Sequence, residues 1–151
     1  MKAVLQRVTR ASVTVDGEAI SAIDNGLLIF LGVAGGDNRR DAEVLADKIA
    51  NLRIFSDSDD RMNLSLLTVG GAALVVSQFT LCADCSHGRR PDFFSAAKPD
   101  IANELYEYFC ERIKTAGVKD VQKGIFGADM KVELLNDGPV TIMIDSGDLK
   151  K

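Results

Sequence analysis

The chain has 151 residues, 46% of them hydrophobic and 26% charged, which is the length and balance of one globular domain and excludes disorder. A net charge of −4 excludes a general nucleic-acid coat protein but leaves room for a local basic patch. One histidine and three cysteines exclude a histidine-rich metal site, and an odd number of thiols fits a reducing compartment without a disulfide framework.

Lys2, Arg7 and Arg10 interrupt any apolar run at the start, so no signal peptide is expected. The apolar run from Gly26 to Gly36 is too short for a membrane helix, which needs ~20 residues. A cytoplasmic protein is the expectation. Val13-Thr-Val15 alternates, meets the hairpin signal Asp16-Gly17, and continues into Glu18–Ile23. Gly26–Val33 is an apolar run suited to a strand buried on both faces. Gly35-Gly36-Asp37 predicts a turn with a helix cap, and a helix follows from about Asn38 with Ala42, Leu45, Ile49 and Leu52 on its core face.

Arg53–Phe55 and Leu64–Leu66 read as short strands around an acidic turn, Asp57–Asp60. Ala73–Leu81 reads as the next strand. A second helix starts near Asp100, after Pro99, with Ile101, Leu105, Tyr108, Phe109 and Ile113 inward and Gly117 as its stop. Val132–Leu135 and Val140–Asp145 are strands joined by Asn136-Asp137-Gly138-Pro139. The expected fold is α+β: a single domain of seven or eight strands in a curled mixed sheet or barrel with two main helices. The domain runs over 1–145, with 146–151 as a frayed tail.

Several motifs compete for the chemistry. Cys82-Ala-Asp-Cys85 has the C-x-x-C spacing, but a redox pair opens a helix after a strand, and here a loop, Ser86–Pro91, follows. Cys82, Cys85, His87 and Cys110 have the ligand types of a zinc or thiol module without its paired spacing. Gly32–Gly36 lies where phosphate loops lie, yet matches neither G-x-G-x-x-G nor a following G-K-[ST]. Ser77 or Thr80 with His87 and Asp84 makes a triad on paper, without the G-x-S-x-G elbow. His87-Gly-Arg89-Arg90 is a basic run able to meet phosphates or merely to be solvated.

Two further segments decide among these. Ser77-Gln78-Phe79-Thr80-Leu81 and Asn136-Asp137-Gly138-Pro139-Val140-Thr141 resemble the D-aminoacyl-tRNA deacylase family. So do Ala3–Val8, Ala11–Gly17, Lys48–Phe55, Met62–Leu66, Gly88–Pro91 and Phe126–Met130, in the family's order and over nearly the whole chain. Only the stretch from Cys82 to His87 departs, with Cys82 where the family has an aromatic and less positive charge around Ser86 and His87.

The resemblance implies a homodimer that hydrolyses the ester joining a D-amino acid, or glycine, to the 3′ end of tRNA, with no metal or other cofactor and neither membrane nor DNA as partner. It implies that Gly138 and Pro139, joined by a cis peptide bond, enter the partner's pocket and exclude L-amino acids by collision with backbone. Ser77, Gln78, Phe79 and Thr80 would form the catalytic wall. Arg7 would brace the Gly-Pro loop and Met130 line the pocket, while Arg89, Arg90 and His87 would touch RNA. Thr80 as nucleophile needs a base that the single His supplies poorly, so the resemblance leaves a second account, in which the tRNA 2′-hydroxyl activates the reaction. The Phe79 and Thr80 N–H groups are the oxyanion candidates. A related deacylase that clears L-alanine is the alternative activity.

Overall fold

The structure is a computed structural model that describes residues 1–150. Strand β1 (Lys2–Val15) is the spine of the sheet. Along one edge it pairs antiparallel with β2 (Glu18–Ile23) and then, in the same register, with β3 (Gly26–Gly32). The hairpin expected at Asp16-Gly17 is present, and both of its residues carry positive φ. Along its other edge β1 pairs with β8 (Lys131–Asp145). β3 continues into a parallel pair with β6 (Ala72–Ser77), and β6 pairs parallel with β7 (Val121–Lys123). Parallel neighbours need long crossovers. The first contains helix α1 (Arg39–Asn51), the hairpin of β4 (Phe55–Ser56) and β5 (Met62–Leu64), and the short helix α2 (Leu66–Val69). The second contains α3 (Pro99–Thr115).

The result is the expected α+β domain with a curled, barrel-like mixed sheet. β3 is buried on both faces, which explains its unbroken apolar sequence. Leu27, Ile29 and Leu31 belong to the core under α1 and α3, with Leu45, Ile49, Phe109 and Ile113. Leu28 belongs to a second core inside the curl, with Val8, Val13, Leu74 and Val76. Each such side chain contributes ~1.5–3 kcal/mol by leaving water.

Local details depart from the sequence expectations. The α1 cap is Asn38, whose side chain accepts the Arg40 N–H at 2.9 Å, while Asp41 accepts the Asn38 N–H at 2.9 Å. Asp37 instead accepts the Ala34 N–H and pairs with the Met1 ammonium, each at 2.7 Å. Asn38→Ala is expected to cost about 1 kcal/mol and to lower Tm by roughly 2–4 °C, which thermal unfolding followed by circular dichroism will read.

Ile101 is exposed, because the first turn of α3 borders an open pocket through Pro99 and Ala102. Tyr106, missed by the spacing, is buried and donates from its hydroxyl to Val75 O at 2.7 Å. α2 and β7 were not foreseen either. The region read as two C-terminal strands is one interrupted strand. The tail is not frayed at its start. Ser146 is buried, accepts from the Met1 ammonium at 2.8 Å and donates to Asp41 at 2.9 Å. No helix among the described residues is long and apolar enough to cross a membrane. The uncharged run from Met62 to Ala83 is split among β5, α2, β6 and a tight turn.

Candidate active site

The strand expected to reach Leu81 stops at Ser77. The Gln78 N–H makes the last bond to β3, donating to Leu31 O at 2.8 Å. Phe79–Cys82 then winds into a 3-10 turn. Gly32, at the end of β3, permits this. A Cβ there would stand 2.9 Å from both Gln78 O and Leu81 Cβ, so any side chain would push the turn away. The glycine-rich segment Gly32–Gly36 thus begins with a residue that is bare for close packing. The turn's ladder begins with Leu81 N–H to Gln78 O, so the N–H groups of Phe79 and Thr80 precede it and are not consumed by it.

Beside the turn lies an open, mainly apolar pocket of about 590 Å³. Ser77, Gln78 and Phe79 form one wall, and Phe126 and Met130 another. Met130 Sδ occupies the space a Cβ at Gly124 would need, so the bare glycine seats the methionine. Phe79 is 56% exposed at the rim and meets Phe93 edge-on, with ring centroids 5.1 Å apart. Phe93 and Phe126 shape the pocket but were not singled out from sequence; an aromatic two residues after Arg89-Arg90-Pro91 was the available signal for Phe93. Thr80 is exposed, and its Oγ1 accepts a hydrogen bond from Gln78 Nε2.

The triad is not assembled. The His87 ring Nδ1 is bonded to Ser86 Oγ at 2.8 Å on an exposed loop, and Asp84 Oδ1 accepts the Ser86 N–H at 2.9 Å. Hydrogen bonds from the Ser86 hydroxyl and, less, from its N–H hold the Asp84 carboxyl below its usual range. The thiols do not gather either. Cys82 is buried with its Sγ 3.7 Å from Val33 O, Cys85 is exposed, and Cys110 lies in the core under α3. Burial pushes the Cys110 thiol up to about 12, which keeps it protonated and inert. Among the described residues no three His, Cys, Asp or Glu side chains are arranged to hold a metal ion.

Gly138 and Pro139 lie elsewhere. β8 pairs with β1 on both sides of Arg7, but the register shifts between Gln6 and Val8 and again between Val8 and Arg10, so that residues 137–140 stand opposite that single residue. Gly138 and Pro139 are exposed, and the peptide bond between them is cis. Arg7, largely buried, holds the excursion. Its Nε donates to Asp137 O at 3.1 Å, and its NH1 donates to Ile54 O at 2.8 Å. A weaker ion pair to the half-exposed Asp137 carboxylate spans 3.6 Å. Within one chain, then, the expected residues fall into two groups. Ser77–Phe79 and Met130 face the pocket, while Gly138, Pro139 and Arg7 are not among its lining residues. Arg89, Arg90 and His87 are exposed on the loop that leads back to Phe93.

Comparisons with known proteins place this geometry in a family. The family model described as D-Tyr-tRNA(Tyr) deacylase matches residues 4–145. The D-aminoacyl-tRNA deacylase of Chloroflexus aurantiacus is 58% identical over 150 residues, covering 99% of this chain and 93% of the relative. That of Dictyoglomus turgidum is 57% identical over 151 residues, covering 100% and 96%. Among solved structures, one titled c-Myc DNA Unwinding Element Binding Protein superposes with a TM-score of 0.91 at 44% identity, over 96% of this chain and 98% of that one. A probable eukaryotic D-amino acid tRNA deacylase shares the fold, with a TM-score of 0.79 at 17% identity over 95% and 98% of the two chains. The chain belongs to the D-Tyr-tRNA(Tyr) deacylase family of ester hydrolases.

Proposed function

We propose that this chain removes D-amino acids, and glycine, from the 3′ end of tRNA in the cytoplasm, as a chiral proofreading step in translation. The observation that carries the reading is the separation of the two groups of site residues. The pocket beside Ser77–Thr80 is open, and the Gly138–Pro139 excursion projects from the same chain at a different place, held by Arg7. A homodimer that inserts this excursion into the neighbour's pocket gives the site its second wall. Backbone atoms of Gly138 and Pro139 then hold the substrate amino group and leave no room for an L side chain, whereas a D side chain points away.

An ester is an activated substrate, so positioning and oxyanion stabilisation supply the chemistry without a cofactor. The Phe79 and Thr80 N–H groups, ahead of the 3-10 ladder, are the donors for the developing oxyanion. Thr80 is a poor nucleophile here. The group that reaches its Oγ1 is the Gln78 amide, a donor, and a donated hydrogen bond withdraws the electron pair that an attack requires. Water attacks the ester carbonyl instead, activated by the 2′-hydroxyl of the terminal adenosine, and the 3′-oxygen leaves with a proton as the hydroxyl of the freed tRNA.

The test is hydrolysis of D-tyrosyl-tRNA beside L-tyrosyl-tRNA and L-alanyl-tRNA. The D ester is expected to react at least about 100-fold faster than either, the loss expected when a reacting group is misplaced. Equal rates, or preference for L-alanine, would overturn the reading. Thr80→Ala is expected to keep kcat within about ten-fold, while tRNA ending in 2′-deoxyadenosine loses turnover. Sedimentation velocity at the assay concentration should give a dimer.

A further inference from the structure

Phe94 is 95% exposed, the extreme among the large apolar side chains of the described residues. Single exposed apolar residues are ordinary, but this one is held rigidly. Asp92 Oδ1 accepts the Phe94 N–H at 2.7 Å. Asp84 and Asp92 exchange both backbone bonds, at 2.8 and 2.9 Å. Ser95 donates from Oγ to Cys82 O and accepts the Gly35 N–H at its carbonyl, each at 2.7 Å. The backbone around Phe94 is therefore tied to the 3-10 turn beside the pocket and to the segment that follows β3, while its ring stands in water. The preceding residue, Phe93, lines the pocket and touches Phe79.

The same loop carries Arg89 and Arg90, both exposed. The exposed carboxylates of Asp84 and Asp92 are engaged by backbone N–H groups within the loop, and among the described residues no ion pair ties Arg89 or Arg90, so both guanidinium groups are free to meet phosphates. A rigid aromatic beside cations is the arrangement that binds single-stranded nucleic acid, with the ring stacking a base and the cations following the phosphates. In a chain of net charge −4 such an arrangement has to be local. We propose that Phe94 is a stacking platform for an unpaired base just inward of the terminal adenosine of the tRNA, with Arg89 and Arg90 holding the adjoining phosphates. The inference rests on the substrate reading above and adds a contact outside the pocket.

The experiment compares D-tyrosyl-tRNA with D-tyrosyl-adenosine, which lacks the inward bases, for the wild-type chain, Phe94→Ala and Phe94→Trp. One stacked base corresponds to roughly 5–150-fold in affinity. F94A is therefore expected to raise KM for the tRNA about ten-fold or more beyond any change for the adenosine ester, and F94W to restore it. Arg89→Ala and Arg90→Ala should each lower the slope of log KM against log salt by about 0.7. With the ring already in water, F94A should keep its Tm. A wild-type chain that cleaves both D esters while F94A matches it, or while F94A shifts both substrates equally, overturns the stacking contact alone. A change in sedimentation in F94A overturns it too, by showing that the ring covers a second copy. A wild-type chain that leaves both D esters intact overturns the substrate reading and this contact with it.

Discussion

Gly138→Ala is expected to lower kcat/KM for D-tyrosyl-tRNA by about 100-fold while leaving the domain folded. A Cβ at Gly138 would lie 2.5 Å from Arg7 NH2 and 3.1 Å from Val140 Cγ2. An arginine tip can usually swing aside. This one is fixed by Ile54 O and Asp137 O at 2.8 and 3.1 Å. Gly138 also has φ +120°, a conformation that L side chains rarely adopt, at a cost of roughly 1–3 kcal/mol. The excursion must therefore move, and a displacement near 1 Å costs about 100-fold when the moved atoms position the reacting group. β8 pairs with β1 on both sides of the excursion, so the sheet survives. Rates with D and L esters, together with Tm, check this. A folded G138A variant with wild-type rates and wild-type discrimination would show that the excursion is not part of the site.

Arg7→Ala is expected to damage both stability and selectivity. It leaves the Ile54 and Asp137 carbonyls without their donor, and the former bond is buried. Stranded buried acceptors cost ~1–3 kcal/mol each. Because Asp137 is half exposed, its ion pair adds little. A total of about 2–4 kcal/mol corresponds to a Tm lower by roughly 5–15 °C. On the proposed reading Arg7 acts through the excursion, whose Asp137 carbonyl it bonds, and not on the substrate, which makes it a positioning residue. Arg7→Lys keeps the charge, but its donors sit on one nitrogen, which cannot span the two carbonyls that Arg7 reaches from Nε and NH1. It should recover part of the Tm while the ratio of D to L rates stays depressed. If R7K restores selectivity and stability together, the fork geometry is not what holds Gly138.

The fate of individual segments shows which information was local. The hairpin at Asp16-Gly17 was legible because two residues of positive φ specify the turn. The inward faces of both long helices followed from 3.6-residue spacing at Leu45, Ile49, Phe109 and Ile113. That spacing failed at Ile101, where the helix overhangs the pocket instead of the sheet. The strand reading failed at Gln78–Leu81 because alternation continues past Ser77 while the backbone turns. What turns it is the close approach permitted by Gly32, far away in sequence. Ser146 looked like the start of a loose tail since nothing local shows that the Met1 ammonium and Asp41 wait for it.

The sequence by itself determined the class of fold, the family, and most of the candidate residues. Burial periodicity and short turn motifs are local properties, and the resemblance is carried by contiguous blocks. Only the tertiary structure decided how those residues are grouped. It put Ser77–Phe79 and Met130 around one pocket and sent Gly138 and Pro139 out on a braced excursion beyond it. It left His87 on a surface loop and separated the three thiols. The physical reason is that a site is an intersection of distant chain segments, fixed by one bare glycine at Gly32 and one arginine at Arg7. Their partners lie tens of residues away, where no spacing rule reaches.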